Sequence, residues 1–265
     1  MISIEIPVTH GKFLGSVLDS IFSQSYQDFE VILVVENFTK IKNVIDKYDV
    51  KIIKKKTGLL DARYIGHINS KGDLELILDE TRLLKKDSLQ TFSKIKSDMC
   101  IIAEEDIGKG FWIRLSKLDK NVIMMNNTNE LNPLNSFILP RLFRREVLNY
   151  AFDKLIKNIP YNHFTKIISF DHQYIFYEAF NYSKNIDAIK TVSIYHYGDD
   201  SLSLIIKKFY RYGVSTKIVD YTPYKEILKK TNYKRNLSKL SYKDRFLLYL
   251  LYGVRAVPFF IGYYF

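Results

Sequence analysis

KGDLELILDETRLLKKDSL, Lys71 to Leu89, drives an apolar run, Leu74 to Leu78, straight into two adjacent carboxylates, Asp79 and Glu80. A strand that buries its side chains has no local use for charge at its end. No glycine turn follows the pair; Thr81 and Arg82 come next. The acids therefore point to something outside the strand.

Upstream, apolar runs alternate with segments of helical period. Ser3 to Val8 reads as a short strand, and Phe13, Leu14, Val17, Leu18, Ile21 and Phe22 recur at the spacing of one helix face. Glu30 to Val35 (EVILVV) is the near-continuous β-branched run of a parallel strand covered on both faces. Ile41, Val44 and Ile45 predict a second helix, Val50 to Ile53 a third strand, Leu60 to Ile68 a helix opened near Gly58, and Leu74 to Leu78 a fourth strand. Such alternation with short connections predicts an α/β fold, a doubly wound and mostly parallel sheet with right-handed crossovers. Ligands bind such sheets beyond the carboxyl ends of the strands. Asp79 and Glu80 stand at one of those ends.

Composition limits the partners. The chain has 265 residues, 47% of them hydrophobic, enough for one large domain or a domain with an appendage. Its formal charge of +11, from 40 Lys and Arg against 29 Asp and Glu, points to an anionic partner. No zinc finger, helix-turn-helix or RNA-recognition signature accompanies the basic residues, so a nucleic-acid binder is the weaker reading. The single cysteine, Cys100, lies in the apolar run MCIIA and reads as a core residue, excluding a disulfide framework. MISIEIPV carries no basic flank before a long apolar stretch, so no signal peptide is expected and a cytoplasmic setting is.

Several stretches, in order, resemble the family 2 glycosyltransferases. Ile2 to Glu36 (ISIEIPVTHGKFLGSVLDSIFSQSYQDFEVILVVE) is similar to that family's opening: a strand ending in proline, a helix, a Ser-Gln-x-Tyr-x-Asp-Phe-Glu segment and a strand ending in an acid. Gly58 to Glu80 (GLLDARYIGHINSKGDLELILDE) resembles its Ala-Arg-Asn-x-Gly core, Lys-Gly-Asp turn and strand ending in an Asp-x-Asp metal motif. Phe137 to Leu148, Ser169 to Phe180 and Tyr195 to Gly213 look like its acceptor-side, general-base and C-terminal helix segments. The resemblance implies an A-type glycosyltransferase fold, Rossmann-like with helices on both faces. It also implies transfer of a sugar from a nucleotide-diphosphate donor to a glycan or lipid-linked acceptor hydroxyl, with inversion.

Site residues follow from the same resemblance. Pro7, Val8 and Glu36 would border the nucleobase and ribose, and Arg63 the phosphates or the base pocket. Asp79 would bind a divalent cation, Mg or Mn, that bridges the phosphates of the donor. The second aspartate of the motif falls on Thr81, followed by Arg82. Three repairs stay open: Thr81 ligates weakly or through water, Glu80 substitutes, or Arg82 gives positive charge directly to the diphosphate. His196, in the strand-end stretch SIYHYG, matches a position where a further metal-binding histidine is common. Asp171 matches the base that deprotonates the acceptor, with Phe170 where the family has glutamate, and His172 is a second-choice base. Ser169 is expected to cap the helix that Asp171 opens. Glu104, Glu105 and Asp106, after the apolar run Met99 to Ala103, read as a solvated loop, with contact to the acceptor as the alternative.

The remaining segment differs in character. Residues 1–215 read as the transferase-like domain and 216–265 as a basic, aromatic helical appendage. Lys225, Lys229, Lys230, Lys234, Arg235, Lys239, Lys243 and Arg245 precede FLLYLLYGVRAVPFFIGYYF, Phe246 to Phe265. Arg255 and Pro258 interrupt that run and speak against a simple transmembrane span. A basic stretch leading to an aromatic one predicts a helix in a membrane interface across residues 224–265, at the cytoplasmic face. The alternatives are packing on the domain or on a second copy as a homodimer. The altered Asp79-Glu80-Thr81 motif also leaves open a glycosyltransferase-like binding protein without catalysis.

Overall fold

The computed structural model describes residues 1–126, 132–134, 138–220, 222–225, 227 and 237–265. In the first part of the chain the elements are β1 (Ile2–Val8), α1 (Leu14–Phe22), β2 (Phe29–Val35), the single-turn α2 (Lys42–Ile45), β3 (Lys51–Lys54), α3 (Leu59–Ile68), β4 (Leu74–Ile77), β5 (Arg82–Leu84) and α4 (Ser88–Phe92). Then come β6 (Met99–Ile107), α5 (Phe111–Asn126), β7 (Pro140–Arg144), α6 (Arg145–Asn158), α7 (Tyr161–Phe164), α8 (Asp171–Tyr182), β8 (Ile186–Tyr197), α9 (Leu202–Val219) and α10 (Tyr242–Tyr264).

The strands form one sheet in the order β3-β2-β1-β4-β7-β6-β8-β5. The first four neighbours pair parallel, as the alternating pattern predicts. Beyond β4 the sheet becomes mixed: β7 runs antiparallel to both β4 and β6, β8 pairs parallel with β6, and the short β5 pairs antiparallel with β8. The chain thus leaves β4 at Asp79 and crosses at once to the far edge. This crossing places Arg82 opposite His196 in the β5–β8 register.

All seven residues of β1 are buried, yet its two faces differ. Ile2, Ile4, Ile6 and Val8 pack with Leu14, Val17, Leu18 and Ile21 of α1 and with β2. Ser3 and Glu5 face the other way, and Ser3 Oγ accepts the Gly72 N–H at 2.7 Å. Glu5 lies beneath α3. A Cβ at Gly66 would stand 2.9 Å from the Glu5 Cβ, so only glycine lets α3 settle this close to β1. On the same side α6 and α8 bury Val147, Leu148, Phe152, Tyr174, Ile175 and Phe176 against Ile77, Met99 and Phe143. Each fully buried side chain of this size contributes roughly 1.5–3 kcal/mol. Cys100 is a buried core residue, as expected from its apolar run.

Three local expectations are corrected. Glu104 to Asp106 form no solvated loop; they continue β6, and Asp106 is buried. The strand tolerates its acids because basic partners on other elements reach them. Ser169 does not cap α8: Phe170 holds the N-cap position with φ 58°, and the Ser169 hydroxyl turns to the Tyr212 carbonyl on α9 at 3.4 Å. Pro258 does not break the C-terminal helix. α10 runs continuously through it and is long and apolar enough, by length and composition, to cross a membrane. Ser241 caps it, accepting the Asp244 N–H at 3.1 Å.

α9 spans the 215/216 boundary, and α10 packs along it. Their contact is made by two glycines: a Cβ at Gly213 would stand 2.8 Å from the Tyr263 nitrogen, and one at Gly262 3.0 Å from the Tyr210 carbonyl carbon. Arg255 is tied to α5 through Asp119 at 2.6 Å.

Candidate active site

The two carboxylates that end β4 have different tasks. Glu80 turns back to the β1–α1 loop and accepts the N–H groups of Thr9 at 3.3 Å, His10 at 3.1 Å and Gly11 at 2.5 Å. It therefore fixes the loop that carries the chain out of β1, where Gly11 has φ 73°. Asp79 turns to a cluster of guanidinium groups. Its Oδ1 accepts from Arg63 Nη2 and its Oδ2 from Arg82 Nη1, while Arg141 Nη1 lies 3.8 Å from Oδ2.

Arg63, from α3, has no solvent exposure. Its Nε donates to Asp171 Oδ2 at 2.6 Å and its Nη1 to the Leu78 carbonyl at 3.0 Å, with Glu5 Oε1 at 3.5 Å. A buried guanidinium is tolerable only when its fork is met in this way. Burial pushes the Glu5 carboxyl up to about 8 despite the pull of Arg63. Glu5 is accordingly protonated at neutral pH.

Behind Asp79 the network continues. Glu104 accepts from Arg82 Nε at 3.2 Å and from Arg141 Nε, with Lys120 Nζ at 3.5 Å. Burial would raise its pKa, but Arg141, Arg82 and Lys120 hold the carboxylate well below its usual range. Asp106 receives Lys120 Nζ at 2.5 Å, His196 Nδ1 at 2.6 Å and the Ser116 hydroxyl at 2.7 Å. Burial, with Arg82 and Lys120, lowers the His196 imidazole to about 4, although Asp106 acts in the opposite sense. His172 stands 3.5 Å from Arg141 Nη1 and 3.8 Å from Asp171. Burial and the guanidinium groups of Arg63, Arg141 and Arg82 hold it well below the histidine range, so it is neutral.

A cleft of about 740 Å³ opens beyond the carboxyl ends of β1 and β2. Pro7, Val8, Glu36 and Thr81 line it, together with Lys12, Lys55, Lys207, Lys208 and Arg211. Phe13 and Tyr197 stack at its edge, ring centroids 4.0 Å apart. A second hollow of about 560 Å³, among α5, α9 and α10, is lined by Asp106, Lys120, His196, Arg255 and Phe259.

The fold thus joins Arg63, Asp79, Arg82, Asp171 and His172 in one cluster, and puts Pro7, Val8, Glu36 and Thr81 on the cleft wall. His196 is set apart from Asp79, against Asp106. The residues missing from the sequence reading are Arg141, Lys120 and the cations of α9; the period-two spacing of Glu104 and Asp106 in MCIIAEEDI was the one local signal that β6 continues. The expected acceptor-side loop Asn126 to Asn135 falls mostly outside the described residues, as do Lys229, Lys230, Lys234 and Arg235.

A divalent cation does not fit Asp79, Thr81 and His196 as they stand. Both Asp79 oxygens face guanidinium groups, Glu80 is engaged by backbone amides, and His196 Nδ1 is bonded to Asp106. Among the described residues no three acidic, histidine or cysteine side chains are grouped to hold a metal.

No protein-family model and no curated protein matches the sequence. Solved structures do match the fold. The Staphylococcus aureus TarS fragment 1–349 superposes with a TM-score of 0.58 at 17% identity, over 96% of this chain and 79% of that one. The same fragment in complex with UDP-GlcNAc gives a TM-score of 0.57 at 15% identity, over 93% and 78% of the two chains. The mannosyltransferase PcManGT of Pyrobaculum calidifontis, in complex with GDP-Man and Mn2+, gives 0.57 at 14% identity, over 96% and 73%. The chain spans just under half of the longer TarS structure, 47% of it. The fold is the A-type glycosyltransferase fold, as the sequence resemblance implied.

Proposed function

We propose that this protein is an inverting glycosyltransferase that uses a nucleotide-diphosphate sugar. The observation that carries the reading is the cationic cleft beyond β1 and β2, walled by Pro7, Val8 and Glu36, with the Arg63–Asp79–Asp171 cluster behind it. Clefts at this place in a twisted parallel sheet take nucleotides. Glu36 offers a carboxylate to ribose or base donors, and the surrounding lysines and arginines offer charge to the phosphates.

In this reading Asp171 accepts the proton of the acceptor hydroxyl as its oxygen bonds to the anomeric carbon. The bond from that carbon to the diphosphate breaks in the same step, and the nucleoside diphosphate leaves with the electron pair. Arg63 positions the Asp171 carboxylate, and Arg82 and Arg141, though paired with Asp79 and Glu104, offer N–H donors as charge grows on the leaving group. His172, neutral and buried, is the weaker base. TarS in complex with UDP-GlcNAc and PcManGT in complex with GDP-Man support a nucleotide-sugar donor.

The acceptor in this proposal is lipid-linked, presented from a membrane surface. Phe246, Leu250, Val257, Phe260 and Tyr264 are exposed along one stripe of α10, and Leu202, Ile206, Tyr210 and Val214 recur every four residues on α9. The test of activity is a panel of nucleotide sugars incubated with lipid-linked acceptors, read by release of nucleoside diphosphate and by the configuration of the product. Binding of a nucleotide without any turnover would favour a glycosyltransferase-like binding protein. Flotation with anionic vesicles tests the surface; Phe246→Ser with Phe260→Ser should abolish it, and a stable homodimer through that stripe would replace the membrane reading.

A further inference from the structure

We infer that this chain holds the diphosphate of its donor with cationic side chains in place of a divalent cation. The inference rests on the nucleotide-sugar reading and concerns how that site handles charge. Asp79 stands where a metal ligand is expected, but Arg63, Arg82 and Arg141 already surround its carboxylate. The wider cluster is balanced: Arg63, Arg82, Arg141 and Lys120 face Asp79, Asp171, Glu104 and Asp106. With both Asp79 oxygens taken by guanidinium groups, a dication would have to displace Arg63 or Arg82 from a partly buried ion pair to reach its ligand.

The neighbouring ligands are committed as well. Thr81 replaces a second acid, Glu80 holds three backbone amides, and His196 is bonded to Asp106. The cleft is lined by Glu36, Glu80, Asp199 and Asp200 as well as by its cations, yet not all of those cations are ion-paired among the described residues. Lys55 is paired with Asp61 at 3.2 Å and Lys208 with Asp199 at 2.9 Å. Lys207 and Arg211, one turn apart on α9, line the same cleft and make no ion pair among the described residues. A guanidinium with a lysine beside it suits phosphate oxygens, because the fork donates two hydrogen bonds and both charges act at short range. α9 therefore carries cations on the side lining the cleft and an apolar stripe exposed to solvent.

The test is calorimetric titration of the full chain with UDP, GDP, ADP and CDP, each in EDTA and again with Mn2+. One nucleotide should bind in EDTA with the affinity that it has in Mn2+. Lys207→Ala combined with Arg211→Ala should weaken that binding about tenfold or more. Lys94→Ala with Lys157→Ala, which remove the same charge away from the cleft, should leave it unchanged. Binding that requires Mn2+ would overturn the inference while leaving the nucleotide-sugar reading intact, and so would an unaltered affinity in the α9 variant. Failure of all four nucleotides under both conditions would overturn both.

Discussion

Arg63 reaches from α3 to Asp171 on α8, Nε to Oδ2 at 2.6 Å, across a sequence separation of 108 residues. The same guanidinium holds Asp79 at the end of β4 and the Leu78 carbonyl. One buried side chain thereby sets the position of both carboxylates that matter most to the proposed chemistry. Its burial keeps the arrangement rigid, since a solvated arginine would sample many rotamers.

Asp171→Asn should keep the Arg63 contact through the amide oxygen and remove the base. Turnover should fall by about 10²–10⁴, with nucleotide affinity unchanged. Single-turnover rates together with calorimetry separate the two quantities. A variant that loses binding as well would make Asp171 a structural partner of Arg63 alone.

Glu80→Ala removes the acceptor of three consecutive N–H groups in the loop that lines the cleft. Stability should drop by roughly 1–3 kcal/mol, and KM for the donor should rise more than kcat falls. Urea unfolding and steady-state kinetics read both effects. An unchanged KM would mean that the loop keeps its shape without Glu80.

Glu5 and His196 give stability opposite slopes against pH, in windows that overlap. Glu5 keeps its proton in the folded chain up to about pH 8, whereas its ordinary value is 4.5. Between those values the folded state binds more protons than the unfolded one, so this group's contribution falls as pH rises. His196 acts on the acid side: its folded value of about 4 lies below the ordinary 6.5, so its contribution is present above pH 6.5 and is lost as pH falls toward 4. Thermal melts of Glu5→Gln should lose the decline between about pH 4.5 and 8, and those of His196→Gln should lose the rise between about pH 4 and 6.5; in the wild type the two slopes offset each other where those windows overlap. Slopes identical to wild type would refute both assignments.

Gly262→Leu should push α10 off α9, because no side chain fits beside the Tyr210 carbonyl. A loss of roughly 1–3 kcal/mol is expected, with faster amide exchange along α10. Gly253→Leu is the comparison: a Cβ there meets nothing within 4 Å, and the helix should gain up to about 1 kcal/mol from propensity. Equal effects at the two positions would show that the glycine contact is not what docks the helix.

The local pattern of the chain determined a great deal. The alternation from Ser3 to Leu78 specified four parallel strands and their helices, because burial on a sheet or helix face imposes a period that a sequence displays directly. It also put Asp79 and Glu80 at a carboxyl end and marked Arg63 and Asp171 as residues of interest. Tertiary structure decided what those residues do. Asp79 is surrounded by arginines from α3, β5 and β7, and Glu104 is drawn into β6 by Arg82 and Arg141, partners 22 and 37 residues away. Glu104 and Asp106 read locally as a solvated run, since charge next to charge ordinarily seeks water. Only the packing of β5, β7 and α5 around β6 brings the cations that keep them inside, Arg82, Arg141 and Lys120, and long-range pairing of that kind leaves no periodic mark in the sequence.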